Sequence, residues 1–179
     1  MATSSLRYPH DPTNLKTALL EQFGGKHYKV LPTPSLIIKE SVVDNNITKL
    51  LTALDDVNTG IENKIKYRAH IKTHKTIEGS WKQLGYNVAG YNGTKYSSIV
   101  VSTMREAYLI SDYQEKTGNI VVDDVVYGLP VAIGDIIPEL ITISQKFKKF
   151  TIFIDNVQHI DNIKQYIDAN KNQLPNNFK

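Results

Sequence analysis

Segments typical of strands and helices alternate four times between residues 64 and 167, and this alternation constrains the fold more than any other feature of the sequence. Each predicted strand is followed by a segment whose apolar residues recur at helical spacing. The predicted strands cover residues 64–72, 98–102, 124–128 and 150–155. Repeated strand-helix units place parallel strands side by side with helices as the crossovers, so the sequence predicts an α/β fold.

Two architectures are built from such units, and periodicity alone does not choose between them. One is an open doubly wound sheet, and the other is a (β/α)8 barrel of the TIM type. A complete barrel takes about 250 residues, whereas this chain has 179. The chain is therefore long enough for about half a barrel, or for one small open-sheet domain.

The segments outside these units divide the chain further. We expect an N-terminal arm with a short helix (14–23) within residues 1–30, a (β/α) region at residues 31–170 and a polar end at residues 171–179. A short strand is also predicted at residues 35–39, before the first unit.

Local signals mark where several helices start and stop. Ser41 and Asp44 resemble a capping box for the helix before the first unit. Thr103 and Glu106 form a second capping box, and Gly118 ends that helix because glycine readily adopts the left-handed conformation. The helix that begins at Ser41 has one apolar stripe, formed by Val43, Ile47, Leu50, Leu51 and Leu54. The last two helices carry Ile133, Ile136, Ile137, Leu140 and Ile141, and then Val157, Ile160, Ile163 and Ile167.

Composition argues against several functional classes. Lys and Arg number 21 against 18 Asp and Glu, and a net charge of +3 spread along the chain does not predict nucleic-acid binding. The chain has no cysteine, so no disulfide or thiolate metal site lies in this stretch. No run approaches the roughly 18 apolar residues of a membrane span, and the start lacks the apolar core of a secretory signal. We therefore expect a soluble cytoplasmic protein that does not bind membranes.

The first predicted strand is unusually basic. Because side chains alternate along a strand, one face would carry Ile65, Tyr67, Ala69 and Ile71, and the other Lys66, Arg68, His70 and Lys72. Parallel strands are usually buried on both faces, so four basic side chains on an interior face would be costly unless water or an anion met them. We therefore expect a negative group at the carboxyl end of this strand, where ligand sites lie in both architectures.

A lysine at that end has a specific chemical use. Crowding by other cations is expected to lower its pKa, and the neutral amine can then attack an aldehyde. Lys72 fits this role best, because it is the last inward-facing lysine before the loop. Lys75 is the second candidate, and Lys66 lies too deep.

Two other interpretations of this strand stay open at this point. A basic strand is more often an exposed edge strand, because lysines discourage edge-to-edge pairing. His70 and His74 could ligate zinc as an H-x-x-x-H pair, but they straddle a strand end, and Ile71 stands where the zinc-protease motif has a glutamate. We therefore expect no metal site within this chain.

A resemblance to a known family favours the lysine interpretation. The octamer Arg68-Ala69-His70-Ile71-Lys72-Thr73-His74-Lys75 resembles the R-[PA]-H-x-K-T-H-K signature of eukaryotic D-serine dehydratases, and D-threonine aldolases carry a similar signature. Three other segments resemble the same family in order, most closely its fungal branch. They are Leu31-Pro32-Thr33-Pro34, the segment from Val101 to Ala107, and Phe153-Ile154-Asp155-Asn156.

The resemblance implies a fold, a cofactor and a reaction. The fold would be of the alanine-racemase type, a (β/α)8 barrel with a β-rich second domain, usually in a homodimer, and this chain would supply about four βα units. Lys72 would bind pyridoxal 5'-phosphate (PLP) covalently. The reaction would be dehydration of D-serine to pyruvate and ammonia, with zinc holding the substrate hydroxyl. From the alternation along the strand, we also place Arg68 and His70 near the cofactor ring.

This chain is much shorter than members of that family. The β-rich domain, most contacts to the cofactor phosphate and the zinc ligands would lie beyond its end. We therefore expect a fragment that is inactive by itself. The alternatives are a D-threonine aldolase-like lyase, a non-catalytic PLP-binding barrel, and a basic module that binds an acidic partner through residues 66–75.

Overall fold

The computed structural model describes residues 15–131 and 134–175. Two compact units divide the chain, residues 1–40 and residues 41–179. Residues 1–14 of the predicted arm, and Ile133 of the predicted third crossover helix, lie outside the described residues. The domain boundaries drawn at residues 30 and 170 stay predictions.

The first unit contains the predicted short helix. This helix, α1 (Leu15–Phe23), is followed by a 3-10 turn (Tyr28–Val30). It ends at Phe23, the predicted boundary, and Gly25 after it adopts the left-handed conformation with a φ of +71°. The strand predicted at residues 35–39 is wrong, since this segment pairs with no strand in the described residues and Leu36 is 87% exposed. A strand forms only against a partner, and local sequence does not supply one.

The second unit contains the alternating elements. Its helices are α2 (Glu40–Val57), α3 (Ile77–Gln83), α4 (Met104–Thr117), α5 (Ile137–Ser144) and α6 (Val157–Ala169). Its strands are β1 (Ala69–His70), β2 (Ser98–Val101), β3 (Asp124–Pro130) and β4 (Lys149–Phe153). Short 3-10 turns lie at Gly134–Ile136 and Lys171–Gln173. In the part of the chain that the structure describes, no helix combines the length and apolar character needed to cross a membrane.

All four strands are parallel and lie in the order β1-β2-β3-β4, which confirms the predicted α/β fold with parallel strands. The first strand is much shorter than the predicted residues 64–72. Ala69 pairs with Ile99, so Ser98 at the start of β2 lies opposite Arg68. Residues 64–67 extend past the end of the neighbouring strand and pair with no strand among the residues described.

One face of the sheet packs under helices, as the alternation predicted. The core contains Ala69, Ile71, Ile99, Val101, Val125 and Tyr127 from this face, and Trp81, Leu84, Met104, Ala107, Ile110, Ile137, Leu140 and Ile143 from α3, α4 and α5. The other face carries Arg68, His70, Val100, Asp124 and Thr151, which are half-exposed. The prediction is wrong for Ile65, which is 52% exposed because it lies before the sheet begins.

Helix α2 packs through part of its predicted stripe. Leu51 is fully buried against Val88 and Tyr91, whereas Leu50 is 48% exposed. The predicted capping box is wrong, because the helix begins at Glu40 and the Asp44 carboxylate instead binds the Lys82 ammonium, 2.6 Å away. The Asp44 carboxylate pairs with a lysine of another helix, α3, and local sequence cannot indicate a contact between two helices.

The boundaries of α4 and the packing of α6 test two further predictions. Thr103 caps α4 as predicted, because its hydroxyl accepts a hydrogen bond from the backbone N–H of Glu106. Gly118 ends this helix with a φ of +69°. In α6, Ile163 packs against the core, but Val157 is 72% exposed. The predicted apolar face of α6 is therefore only partly covered.

Candidate functional site

The site is built on a tight turn at the carboxyl end of β1. The backbone N–H of Lys75 donates to the Ile71 carbonyl over 2.9 Å, which closes the turn formed by residues 72–74. Lys72 is the first residue of this turn, and its side chain is exposed. Its ammonium makes no hydrogen bond or ion pair with the described residues, 15–131 and 134–175. The turn therefore presents a free primary amine at the edge of the sheet where ligand sites of parallel strands lie.

His70 lies beside Lys72. Its Nδ1 accepts a hydrogen bond from the backbone N–H of Lys72 over 3.4 Å, and its Nε2 lies 3.4 Å from the Ser102 hydroxyl. Since Nδ1 is the acceptor, the proton of a neutral ring is on Nε2, which donates to Ser102. Lys72, His70 and Ser102 thus come together at the carboxyl ends of β1 and β2.

His74 holds the turn from the helix side. Its Nδ1 accepts from the backbone N–H of Thr76 over 3.2 Å, and its Nε2 donates to the Gln83 side chain over 2.9 Å. Thr76 is also the N-cap of α3, where its hydroxyl accepts from the backbone N–H of Gly79. The turn is therefore anchored to both ends of α3, so the position of Lys72 is coupled to that helix.

Glu106 is a further part of the site that sequence reasoning identified only as a helix cap. Its side chain is 2% exposed, and its carboxylate accepts from the backbone N–H of Ser102 over 2.9 Å and from the Thr103 hydroxyl over 3.2 Å. The Lys75 ammonium lies 3.4 Å from Oε1 of the same carboxylate. The two lysines of the turn therefore differ, because Lys75 is paired with a buried carboxylate and Lys72 has no such partner in the described part of the chain.

Arg68 lies away from this cluster, at the amino end of β1. Its guanidinium binds both carboxylate oxygens of Asp124, at 2.7 and 2.6 Å, and Lys149 lies 3.9 Å from the same carboxylate. Asp124 is the first residue of β3. At this end of the sheet, the negative group that we expected beside the basic strand is therefore a carboxylate of the chain itself. Sequence reasoning missed Asp124, because only the strand register places it in line with Arg68, next to Ser98 on the following strand.

The interpretation of His70 and His74 as a zinc pair finds no support in these contacts, since both rings are engaged in hydrogen bonds to the protein. Among residues 15–131 and 134–175, no three histidine or carboxylate side chains are grouped as metal ligands.

Replacing Gly79 by alanine is expected to destabilise the second unit by about 1–2 kcal/mol. An added Cβ would lie 2.6 Å from Nδ1 of His74 and 2.8 Å from the Thr76 hydroxyl, so the ring that anchors the turn must move. Alanine is otherwise the better helix former by about 1 kcal/mol, so the clash decides the sign. Urea unfolding monitored by circular dichroism measures the change.

Gly134→Ala is the matched control for this variant. No atom of the residues that the structure describes lies within 4 Å of its added Cβ, so its stability should stay within about 0.5 kcal/mol of the unmodified chain. If Gly79→Ala is as stable as the unmodified chain, His74 does not anchor the turn in the way described.

Comparison with known proteins finds D-serine dehydratases. No protein-family model matches the chain. The chain is 36% identical over 148 residues to a D-serine dehydratase of Saccharomyces cerevisiae, and 33% identical over 165 residues to one of Schizosaccharomyces pombe. It is 27% identical over 144 residues to a D-serine dehydratase of Dictyostelium discoideum.

These matches cover most of this chain but only part of each relative. They include 83%, 92% and 80% of the chain, in the order given. The corresponding shares of the relatives are 34%, 34% and 32%. The chain therefore spans about a third of the length of the curated relatives that it matches, and the predicted resemblance to one part of D-serine dehydratases is confirmed.

Proposed function

We propose that this chain is the N-terminal part of a PLP-dependent D-serine dehydratase, and that Lys72 is the lysine that binds the cofactor. One observation supports the proposal most strongly. Lys72 belongs to the octamer that resembles the family signature, and it lies at the carboxyl end of β1. Its amine is exposed and unpaired among the described residues. The similarity to three D-serine dehydratases over most of the chain supports the same assignment. The substrate would then be D-serine, and the products pyruvate and ammonia.

We further propose that the four βα units are consecutive units of an alanine-racemase-type barrel. The strand order never reverses, whereas a doubly wound sheet reverses at a switch point and carries helices on both faces. Helices α3, α4 and α5 pack on one face of the sheet, and the other face carries the polar side chains of Arg68, His70 and Asp124. In a barrel that second face would be the interior.

Lys72, His70 and Arg68 support the proposed binding of PLP to different degrees. Lys72 supplies the free amine that the cofactor aldehyde requires. His70 lies beside Lys72 at the same end of the strand, so a contact of His70 with the cofactor is the better supported of the two we proposed. Arg68 is the less well supported, because its guanidinium already binds both oxygens of Asp124.

These positions indicate which part of the reaction each group would perform. When bound, PLP supplies an electron sink that makes the α-proton of an amino acid removable. Lys72 Nζ, once free of the cofactor, would take the proton from Cα of D-serine. The His70 hydrogen bond to the Lys72 backbone, and the anchoring of the turn by His74, would fix the backbone from which the Lys72 side chain extends. The zinc that the family resemblance implies would be held by residues outside this chain.

Treating the chain with PLP and then with borohydride is expected to label one lysine, Lys72. The reaction needs an accessible amine, which Lys66 also has, so selective labelling of Lys72 would come from a cofactor site at the carboxyl end of β1. Peptide mass spectrometry identifies the labelled residue, and the absorbance of lysine-bound PLP reports its formation before reduction. Lys72→Ala should lose the label almost completely, whereas Lys66→Ala should keep it. A label scattered over many lysines would overturn the assignment.

The chain alone is expected to convert no D-serine, even with added PLP and zinc. It spans about a third of the relatives' length, so the remaining parts of a complete site would have to come from elsewhere. A pyruvate assay tests this, with the Lys72→Ala variant as the blank. Pyruvate formed by the unmodified chain, but not by that variant, would contradict the expectation.

A further inference from the structure

We propose that Glu106 decides which lysine of the turn is reactive, by binding the Lys75 ammonium and leaving the Lys72 amine free. The inference rests on the proposed function, because it explains why a carbonyl compound such as PLP would take Lys72 and not its neighbour. In that reaction the amine lone pair forms a bond to the aldehyde carbon. A C=N bond results, and the carbonyl oxygen leaves as water with the two amine protons.

Position and exposure alone do not distinguish the two lysines. Lys72 and Lys75 lie three residues apart on the same closed turn, and both side chains are exposed. Lys75 retains 56% of its side-chain exposure beside Glu106, so a solution reagent could reach either amine. The difference between them is the ion pair, since Lys75 Nζ lies 3.4 Å from Glu106 Oε1 and Lys72 has no such partner among the described residues.

Glu106 is well placed for this role, because its carboxylate is held in a fixed position. Its carboxylate is buried, and two hydrogen bonds, from the Ser102 backbone and the Thr103 hydroxyl, fix its position at the first turn of α4. The positive end of the helix dipole also favours a carboxylate there. The negative charge is therefore stationary, and the flexible Lys75 side chain must come to it.

The expected size of the effect is modest and measurable. Ion pairs with one exposed partner shift an equilibrium by up to about fivefold. We therefore expect Lys72 to react about three to five times faster than Lys75 with a small amine reagent. Trace acetylation of the full chain with acetic anhydride, quantified by peptide mass spectrometry against Lys66, measures both rates in one sample.

The variant that tests the proposal is Glu106→Gln, which keeps the side-chain volume and the acceptor oxygen for Ser102. We expect acetylation of Lys75 to rise about three- to fivefold, with that of Lys72 unchanged. The matched control is Glu115→Gln, which removes the exposed partner of Lys146, 2.6 Å away, and should leave Lys75 unaffected. An unchanged rate at Lys75, or equal increases at both lysines of the turn, would overturn the proposal.

A second measurement needs no variant, in case Glu106→Gln does not fold. Raising the salt concentration from 0.05 to 1 M shortens the Debye length from more than 10 Å to about 3 Å and weakens the ion pair. In the unmodified chain, acetylation of Lys75 should therefore increase relative to Lys72. A ratio that does not change with salt would count against the proposal.

Acetic anhydride does not require a cofactor site, so the two proposals can fail separately. If Glu106 controls acetylation of Lys75 but PLP labels neither lysine, the proposed function fails and the role of Glu106 stands. If PLP labels Lys72 alone in both the unmodified chain and Glu106→Gln, and acetylation is also unchanged, the proposed function stands and Glu106 does not select the lysine.

Discussion

Replacing Gln114 by alanine is expected to lower the free energy of unfolding by about 3 kcal/mol. The Gln114 side chain is 5% exposed, and its Oε1 accepts hydrogen bonds from the backbone N–H groups of Val121 and Val122, over 2.9 and 2.7 Å. Its Nε2 donates to the Val122 carbonyl over 3.0 Å. Alanine would leave three buried backbone groups without partners, and each such group costs about 1–3 kcal/mol. Urea unfolding monitored by circular dichroism gives the change.

Two further variants separate lost hydrogen bonds from lost volume. Gln114→Met keeps most of the side-chain volume and none of the hydrogen bonds, so it should retain most of the destabilisation. Gln145→Ala removes an exposed glutamine whose amide donates to the Ser144 hydroxyl, and should stay within about 0.5 kcal/mol of the unmodified chain. If Gln114→Met is fully stable, the backbone groups find other partners and the argument is wrong.

The second large effect is expected at Asp124. Asp124→Ala should lower the free energy of unfolding by about 2 kcal/mol, because the Arg68 guanidinium would lose both of its acceptors. A fully buried pair would lose about 3–5 kcal/mol, but these side chains keep 29% and 18% of their exposure, so water replaces part of the interaction. The same urea titration measures this loss.

The double variant Arg68→Met with Asp124→Leu distinguishes a broken pair from a lost side chain. It removes both charges together, so it should be more stable than Asp124→Ala alone. The control is Asp168→Asn, whose lysine partner, Lys171, lies 2.9 Å away at the surface, and its effect should be below about 0.5 kcal/mol. A double variant less stable than Asp124→Ala would mean that Arg68 contributes through other contacts.

Asp124 also illustrates how a correct argument from sequence can assign the wrong partner. Four basic side chains on one face of the predicted strand indicated a negative group close to them. We expected this group to be a ligand at the carboxyl end of the strand. For Arg68 the structure supplies it from β3, at the amino end. The two residues are 56 positions apart, and only the register of β1, β2 and β3 brings them together.

Several features could be predicted from the sequence because they depend on residues within a few positions of one another. The alternation of strand and helix patterns, the Thr103 cap and the left-handed Gly118 are of this kind. So is the place of Lys72 at the carboxyl end of the first strand, although it was predicted as the last residue of that strand and lies in the turn that follows β1. Hydrophobic periodicity and capping hydrogen bonds act over one or two turns of chain, so the order of the residues already contains them.

Tertiary structure decided the features that depend on residues far apart in the chain. The length of β1 was set by where β2 begins, and the segment at residues 35–39 formed no strand without a partner. The sequence ranked Lys72 ahead of Lys75 by its place on the predicted strand, but the ion pair of Lys75 depends on the fold, which brings the buried carboxylate of Glu106 to it. Pairing across strands and helices depends on register and packing, and these are settled only when the whole sheet assembles.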